Sequence, residues 1–305
     1  MTSRGGSDGS RALVIVAAIN GGMQPSRGAT KVPVSPDEIA EAAEGCRTAG
    51  AAIVHFHARD ANGQPSSDPA LYAEIIAAVR ARTDVLLQTT NGAGVRRDAA
   101  TGRFLWPPDE ERLALMQLES GPDVYCVGGG TVDMFNPAGG YPDEVPYINS
   151  ADYVKSAIAA AQANGKPIEL EVIVPSIADR LARYADQGVF DRDASVWLQH
   201  AGGMGAAANA RSLIFSVEEA RRLFPNAIWG AIAVGDNMFR LGTLAIALGA
   251  DVARVGFEDG LLLPDGSQAT TNDEQVEAIA SIARIYGREP ATPQQAREIL
   301  GIDGG

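Results

Sequence analysis

The chain is poor in histidine, cysteine and basic charge. Its 305 residues include three histidines and two cysteines. Cys46 and Cys126 lack a C-x-x-C spacing, which excludes a disulfide framework and points to a reducing, cytoplasmic setting. Lys and Arg number 25 against 38 Asp and Glu, a formal net charge of −13. No basic stripe is present to neutralise phosphates, which argues against a nucleic-acid partner. No apolar run reaches the roughly 18–20 residues that span a bilayer, so no membrane partner is expected. The opening "MTSRGGSDGS" has no apolar core of a secretory signal, and residues 1–11 are expected to be a disordered lead-in.

What is present is a large apolar fraction, 46%, arranged in short continuous runs. Strands are expected over 12–19, 51–57, 84–90, 123–129, 167–174, 194–199, 227–233 and 251–257. Between them lie helical patterns. One starts at Ser35 with Pro36 and Glu38 as a capping box and Gly50 as its stop. A second capping box is expected at Ser216 and Glu219. Residues 94–108 read as an inserted loop, 109–120 as a helix, and 273–286 and 293–300 as two closing helices. Runs that are apolar on both faces suit parallel strands covered on both sides. Eight such units in about 300 residues favour one (β/α)8 TIM barrel over 12–305 with C-terminal helices, ahead of a doubly wound open sheet.

Two of the three histidines stand together in "AAIVHFHARD". His55 and His57 are i and i+2 on a strand, so they share a face. Such a pair can bind one metal ion, or serve as two hydrogen-bonded polar core residues. A third ligand is open between His200 and a carboxylate at another strand end. "DVARVGFEDG" offers Arg254, Glu258 and Asp259. There one carboxylate can bind metal while the other handles a proton, with Arg254 holding Asp259 ionised or gripping an anionic substrate. "QTTNGAG", "CVGGGTVD" and "HAGGMGAAANAR" are glycine-rich strand exits. Each can offer backbone to a ligand or be an ordinary turn.

The "NGG" after the first strand, the block around the histidine pair, "RVGFEDGLLLPDG" and the tail "ATPQQAREILGI" together resemble the β-keto acid cleavage enzymes, over about residues 12–302. The resemblance implies a TIM barrel with Zn²⁺ held by His55, His57 and Glu258. It implies a reaction of a β-keto acid with acetyl-CoA that yields acetoacetate and a new acyl-CoA through an enolate and a retro-Claisen step. Asp259, positioned by Arg254, would be the base, and Thr90 a hydrogen-bond donor to substrate. Members acting on an amino-substituted substrate carry acids at positions that here fall near Met23 and Val174, so an apolar or neutral substrate tail is expected. Asn91 stands where glycine is common and Gly128 where asparagine is common. Arg96, Arg97 and Arg103 are candidates to meet CoA phosphates. A homo-oligomer, a tetramer by family, is implied. A metal-dependent lyase or aldolase that does not use acetyl-CoA, and a non-catalytic metabolite-binding barrel, fit the same residues.

Overall fold

A computed structural model describes residues 12–302 apart from Met23, Asn91, Ala99, 135–144 and 193–195. In chain order the strands are β1 (Val14–Ala18), β2 (Ile53–Phe56), β3 (Leu86–Thr90), β4 (Arg96–Arg97), β5 (Phe104–Leu105), β6 (Val124–Gly128), β7 (Val132–Met134), β8 (Val145–Tyr147), β9 (Ile168–Val172), β10 (Trp197–Gly202), β11 (Ile228–Ala233) and β12 (Val252–Val255). The helices are α1 (Pro36–Ala49), α2 (Pro69–Arg82), α3 (Asp109–Ala114), α4 (Ala151–Ala163), α5 (Ser176–Asp186), α6 (Ala210–Leu223), α7 (Met238–Ala247), α8 (Asn272–Ile285) and α9 (Pro293–Leu300). Among the described residues, eight strands close a parallel barrel in the order β1-β12-β11-β10-β9-β6-β3-β2, with helices outside: a TIM barrel. No helix among the described residues is long and apolar enough to cross a membrane.

Strand alternation divides the core into an inner and an outer set. Val14, Val16, Ile53, Leu86, Val124, Trp197, Ile228 and Val252 point inward at the amino-terminal end and pack on Ala296, Leu300 and Ile302. Helix α9 thus closes that end. Arg297 Nη2 anchors it by donating to Asp123 Oδ1 at 2.8 Å. The alternate residues, Ile15, Val54, Leu87, Leu198 and Val255 among them, face the helices. The first capping box forms as expected: Glu38 N donates to Ser35 Oγ, Ser35 N donates to Glu38 Oε2, and Gly50 takes φ +117°.

Four expectations need correction. The capping box at Ser216 and Glu219 does not form. Helix α6 begins at Ala210 with Asn209 as its cap, because Leu213, Val217 and Ala220 make one continuous buried stripe. The sixth barrel strand runs Trp197–Gly202, three residues later than expected, so His200 lies within it. The helix expected over 109–120 stops at Ala114 and tightens into a 3-10 turn over Leu115–Gln117. The inserted loop contains the β4–β5 hairpin, and a second hairpin, β7–β8, follows β6.

Candidate active site

His55 ends up buried on β2, and His57 lies just past the end of that strand. Asn20 fixes the turn out of the strand: its Oδ1 accepts from His57 N at 2.9 Å and its Nδ2 donates to His57 O at 2.9 Å. Arg59 braces the same loop by donating to the carbonyl oxygens of Asn20 and Gly21. Glu258 arrives from the exit of β12. A Cβ on Gly21 (φ +63°) would lie 2.8 Å from Glu258 Cγ, and one on Gly22 would lie 3.2 Å from His57 Nδ1. Only the two glycines of the "NGG" turn leave room for these groups to approach.

Glu258 meets both imidazoles, Oε2 at 3.3 Å from His55 Nε2 and Oε1 at 3.2 Å from His57 Nε2. The protonation pattern follows from the neighbours. Gln88 Nε2 donates to Glu169 Oε2 at 3.1 Å, so its Oε1 is the atom 3.0 Å from His55 Nδ1 and must accept from it. His55 therefore carries its proton on Nδ1 and turns the lone pair of Nε2 toward Glu258. Burial lowers the His55 pKa to about 3, so the ring is neutral. Burial opposes ionisation of Glu258, but Arg254 and the two histidines hold its pKa well below the usual carboxylate range. A neutral imidazole nitrogen and a carboxylate oxygen, both acceptors, thus face each other at 3.3 Å. Glu258 Oε2 has no hydrogen-bond donor. The neutral His55 imidazole, the His57 ring and the Glu258 carboxylate, converging on one point, are the donor set of a divalent-metal site with an open position. Those three ligand atoms lie within 4.8 Å of one another.

Arg254 and Asp259 stand beside the cluster, each nearly inaccessible. Arg254 Nε donates to Asp259 Oδ2 at 2.8 Å and Nη2 to Oδ1 at 2.9 Å, a bidentate pair, while Nη2 also lies 3.1 Å from Glu258 Oε1. Burial pushes the Asp259 carboxyl up, with Arg254 pulling against it. Arg254 Nη1 is buried without a partner.

A sequence model of the family described as beta-keto acid cleavage enzyme matches residues 12–302. The chain belongs to the β-keto acid cleavage enzymes. A 3-keto-5-aminohexanoate cleavage enzyme from Fusobacterium nucleatum is 32% identical over 95% of this chain and 98% of its own length. A 3,5-dioxohexanoate:acetyl-CoA acetone transferase from Paraburkholderia graminis is 28% identical, over 96% of this chain and 97% of its own length. The solved binary complex of ObcA with oxaloacetate shares the fold, with a TM-score of 0.69 at 21% identity, covering 89% of this chain and 67% of that one.

Other positions that resemblance to the family singled out are placed as follows. Thr90 ends β3, two residues beyond Gln88 on the same face, pairs in register with Cys126, and its Oγ1 accepts from Gly92 N at 3.1 Å. Val174, half-buried, packs with the core around β9. Gly128, where asparagine is common in the family, has its side-chain space filled from elsewhere. A Cβ there would lie 2.6 Å from Asn149 Nδ2 and 2.7 Å from Tyr147 Cε1. Arg96 is tied to Glu111 Oε2 at 3.0 Å and to Ser67 Oγ. Met23, Asn91 and the side chain of Arg97 lie outside the described residues. His200, open as a third ligand from the sequence alone, is not in the cluster. It faces the helices, with Nδ1 2.8 Å from Ser216 Oγ on α6.

Sequence reading missed the layer beneath the histidines. Glu169 and Glu171 point into the barrel from β9, with Cys126 Sγ 3.4 Å from Glu169 Oε1 and 3.6 Å from Glu171 Oε1. Burial, and then Glu169, raise the Glu171 pKa to about 7. The available signal was the Glu-x-Glu alternation in a run otherwise apolar, the same period of two that marked His-x-His.

Proposed function

We propose that the protein cleaves a β-keto acid with an uncharged, apolar tail, using acetyl-CoA as co-substrate and zinc as its metal. The observation that carries this reading is the convergence of His55, His57 and Glu258, with the acceptors His55 Nε2 and Glu258 Oε2 facing each other, next to the Arg254–Asp259 pair. These three residues would hold the ion, which when bound supplies a Lewis acid for carbonyl chemistry. Asp259 takes the proton from the carbon between the two carbonyls, its basicity set by burial and its orientation by Arg254. Arg254 Nη1, whose hydrogens are unspent, meets a substrate oxygen that gains charge, and the Thr90 hydroxyl donates to another.

The enolate carbon attacks the thioester carbonyl and expels the CoA thiolate. The thiolate adds to the original ketone, and the carbon–carbon bond breaks to leave a new acyl-CoA and the enolate of acetoacetate. Asp259 returns its proton to that enolate, so one proton cycles and no external acid is consumed. Val174 supports the choice of tail, since an ammonium brought beside it would find no carboxylate from that residue and would be costly to bury unpaired.

The test is a panel of β-keto acids with and without acetyl-CoA, following acetoacetate, together with elemental analysis of the purified protein. Acetoacetate from apolar-tailed acids, dependent on acetyl-CoA, is expected. Cleavage without acetyl-CoA would make the protein a lyase, and turnover of ammonium-bearing acids alone would overturn the tail assignment. Glu258→Ala is expected to lose bound metal and to slow turnover by about 10²–10³-fold or more.

A further inference from the structure

Beneath the histidines, Cys126, Glu169 and Glu171 form a second cluster of metal-ligating side chains, which the proposed reaction does not use. Their ligand atoms lie within 4.8 Å of one another. Strand register brings them together. Cys126 pairs with Glu169 and Gly128 with Glu171, and the period of two turns all three side chains to the barrel interior. Their exposures are 5%, 0% and 8%. A buried charge is paired or coordinates a cation. The nearby cation, Arg254, is already committed to Asp259 through two hydrogen bonds.

The separations are those of ligands around one ion. Cys126 Sγ is 3.4 Å from Glu169 Oε1 and 3.6 Å from Glu171 Oε1. A thiol has one hydrogen and can donate it to only one of these oxygens. The other contact needs a carboxyl proton or a cation between the acceptors. Around a tetrahedral zinc, with about 2.3 Å to sulfur and about 2.0–2.2 Å to oxygen, sulfur and oxygen stand about 3.5–3.6 Å apart. Two glutamines support the arrangement. Gln88 Nε2 donates to Glu169 Oε2 at 3.1 Å, which leaves Oε1 as the ligand atom. Gln199 pairs in register with Glu171 and is fully buried. Its Oε1 accepts from Trp197 Nε1 at 3.2 Å and fills the space that a Cβ on Gly230 of β11 would need. Its Nε2 is thereby turned away from β11, on the side of β9 and Glu171, and has no acceptor. An oxygen in a fourth position on the ion would supply one. Burial raises the pKa of all three groups, Glu171 to about 7, with Arg254 pulling each of them down. Without an ion the cluster keeps protons, and those protons are what a cation displaces.

We propose that Cys126, Glu169 and Glu171 bind a thiophilic divalent cation, zinc or an analogue, as a second metal site inside the barrel. One sulfur and two carboxylates select against Mg²⁺ and Ca²⁺, which take about six or more oxygen ligands. The probe is Co²⁺, added to the whole chain after stripping with a chelator. Bound metal per chain is measured beside the cobalt–thiolate charge-transfer absorption in the near ultraviolet. His55, His57 and Glu258 contain no sulfur, so the absorption does not report on their cluster. Wild type is expected to bind two ions and to show the band. Cys126→Ala should lose the band and one ion. Glu171→Gln, which keeps the thiol, should weaken binding of that ion at least about 10–100-fold. His55→Ala should lose the other ion and keep the band, so the two clusters can fail separately. A wild type that binds one ion without the band overturns the proposal, as does a band that persists in Cys126→Ala. Unchanged affinity of the band-forming ion in Glu171→Gln overturns it too. Should Cys126→Ala melt well below the wild type, Cys126→Ser takes its place.

Discussion

The two ends of the barrel are built from the same strands to opposite purposes. At the amino-terminal end the inward residues are Val14, Ile53, Leu86, Val124, Trp197 and Val252, sealed by α9. Two residues further along several of the same strands, the inward positions become His55, Gln88, Cys126, Gln199 and Arg254. Those five strands thus pass from stabilising to chemical residues within one period of their alternation. The lower layer supplies burial, at about 25 cal/mol per Å² of apolar surface, which offsets the cost of burying charge above it. Conservation of shape is what the lower end requires, while the upper end requires particular atoms.

If that division holds, damage below should cost stability and spare activity. Leu300→Ala, in the plug, is expected to lower unfolding free energy by about 2–5 kcal/mol while kcat at permissive temperature stays near wild type. Denaturant titration beside a turnover assay checks it, and a parallel fall in kcat would show that the two ends are not separable.

The upper end should show the reverse debt. Glu171 has a folded pKa of about 7, above its ordinary 4.5, so the native state keeps a proton that the unfolded chain has lost. The sign follows: this favourable contribution is complete below about pH 4.5 and fades as pH rises through about 7. By pH 8 the loss is on the order of 3 kcal/mol. Glu171→Gln is therefore expected to melt like wild type at pH 5 and higher than wild type at pH 8. Identical pH profiles for the two proteins would show that Glu171 ionises freely. The smallest effect belongs to Gln88→Leu, which fills the same space but frees the tautomer of His55. Metal affinity should fall about 10–100-fold in a chelator competition, and an unchanged affinity would reduce Gln88 to a space filler.

The barrel was readable in the sequence because strands covered on both faces are continuous apolar runs, and the histidine pair because two polar rings at i and i+2 interrupt one of them. Glu258 followed from the resemblance and from its position at another strand exit. Gln88, Glu169 and Glu171 were not readable as site-forming residues. A polar residue at period two looks like the wet face of an ordinary strand until closure of the sheet shows that face to be interior. His200 stayed open as a third ligand for a related reason. "HAGG" reads as a loop by its glycines, whereas the strand continues through Gly202 and turns His200 toward α6. The capping box at Ser216 failed because a local pattern competed with a longer apolar stripe, and the stripe won.

The contact between His57 and Glu258 joins residues 201 positions apart. During synthesis at about 5–20 residues per second, the histidine pair would wait on the order of 10–40 s before its carboxylate partner is made. The pair alone offers two imidazoles and no negative charge. Completion of the three-residue cluster therefore belongs to the last stage of chain assembly, when β12 pairs with β1 and the ring shuts.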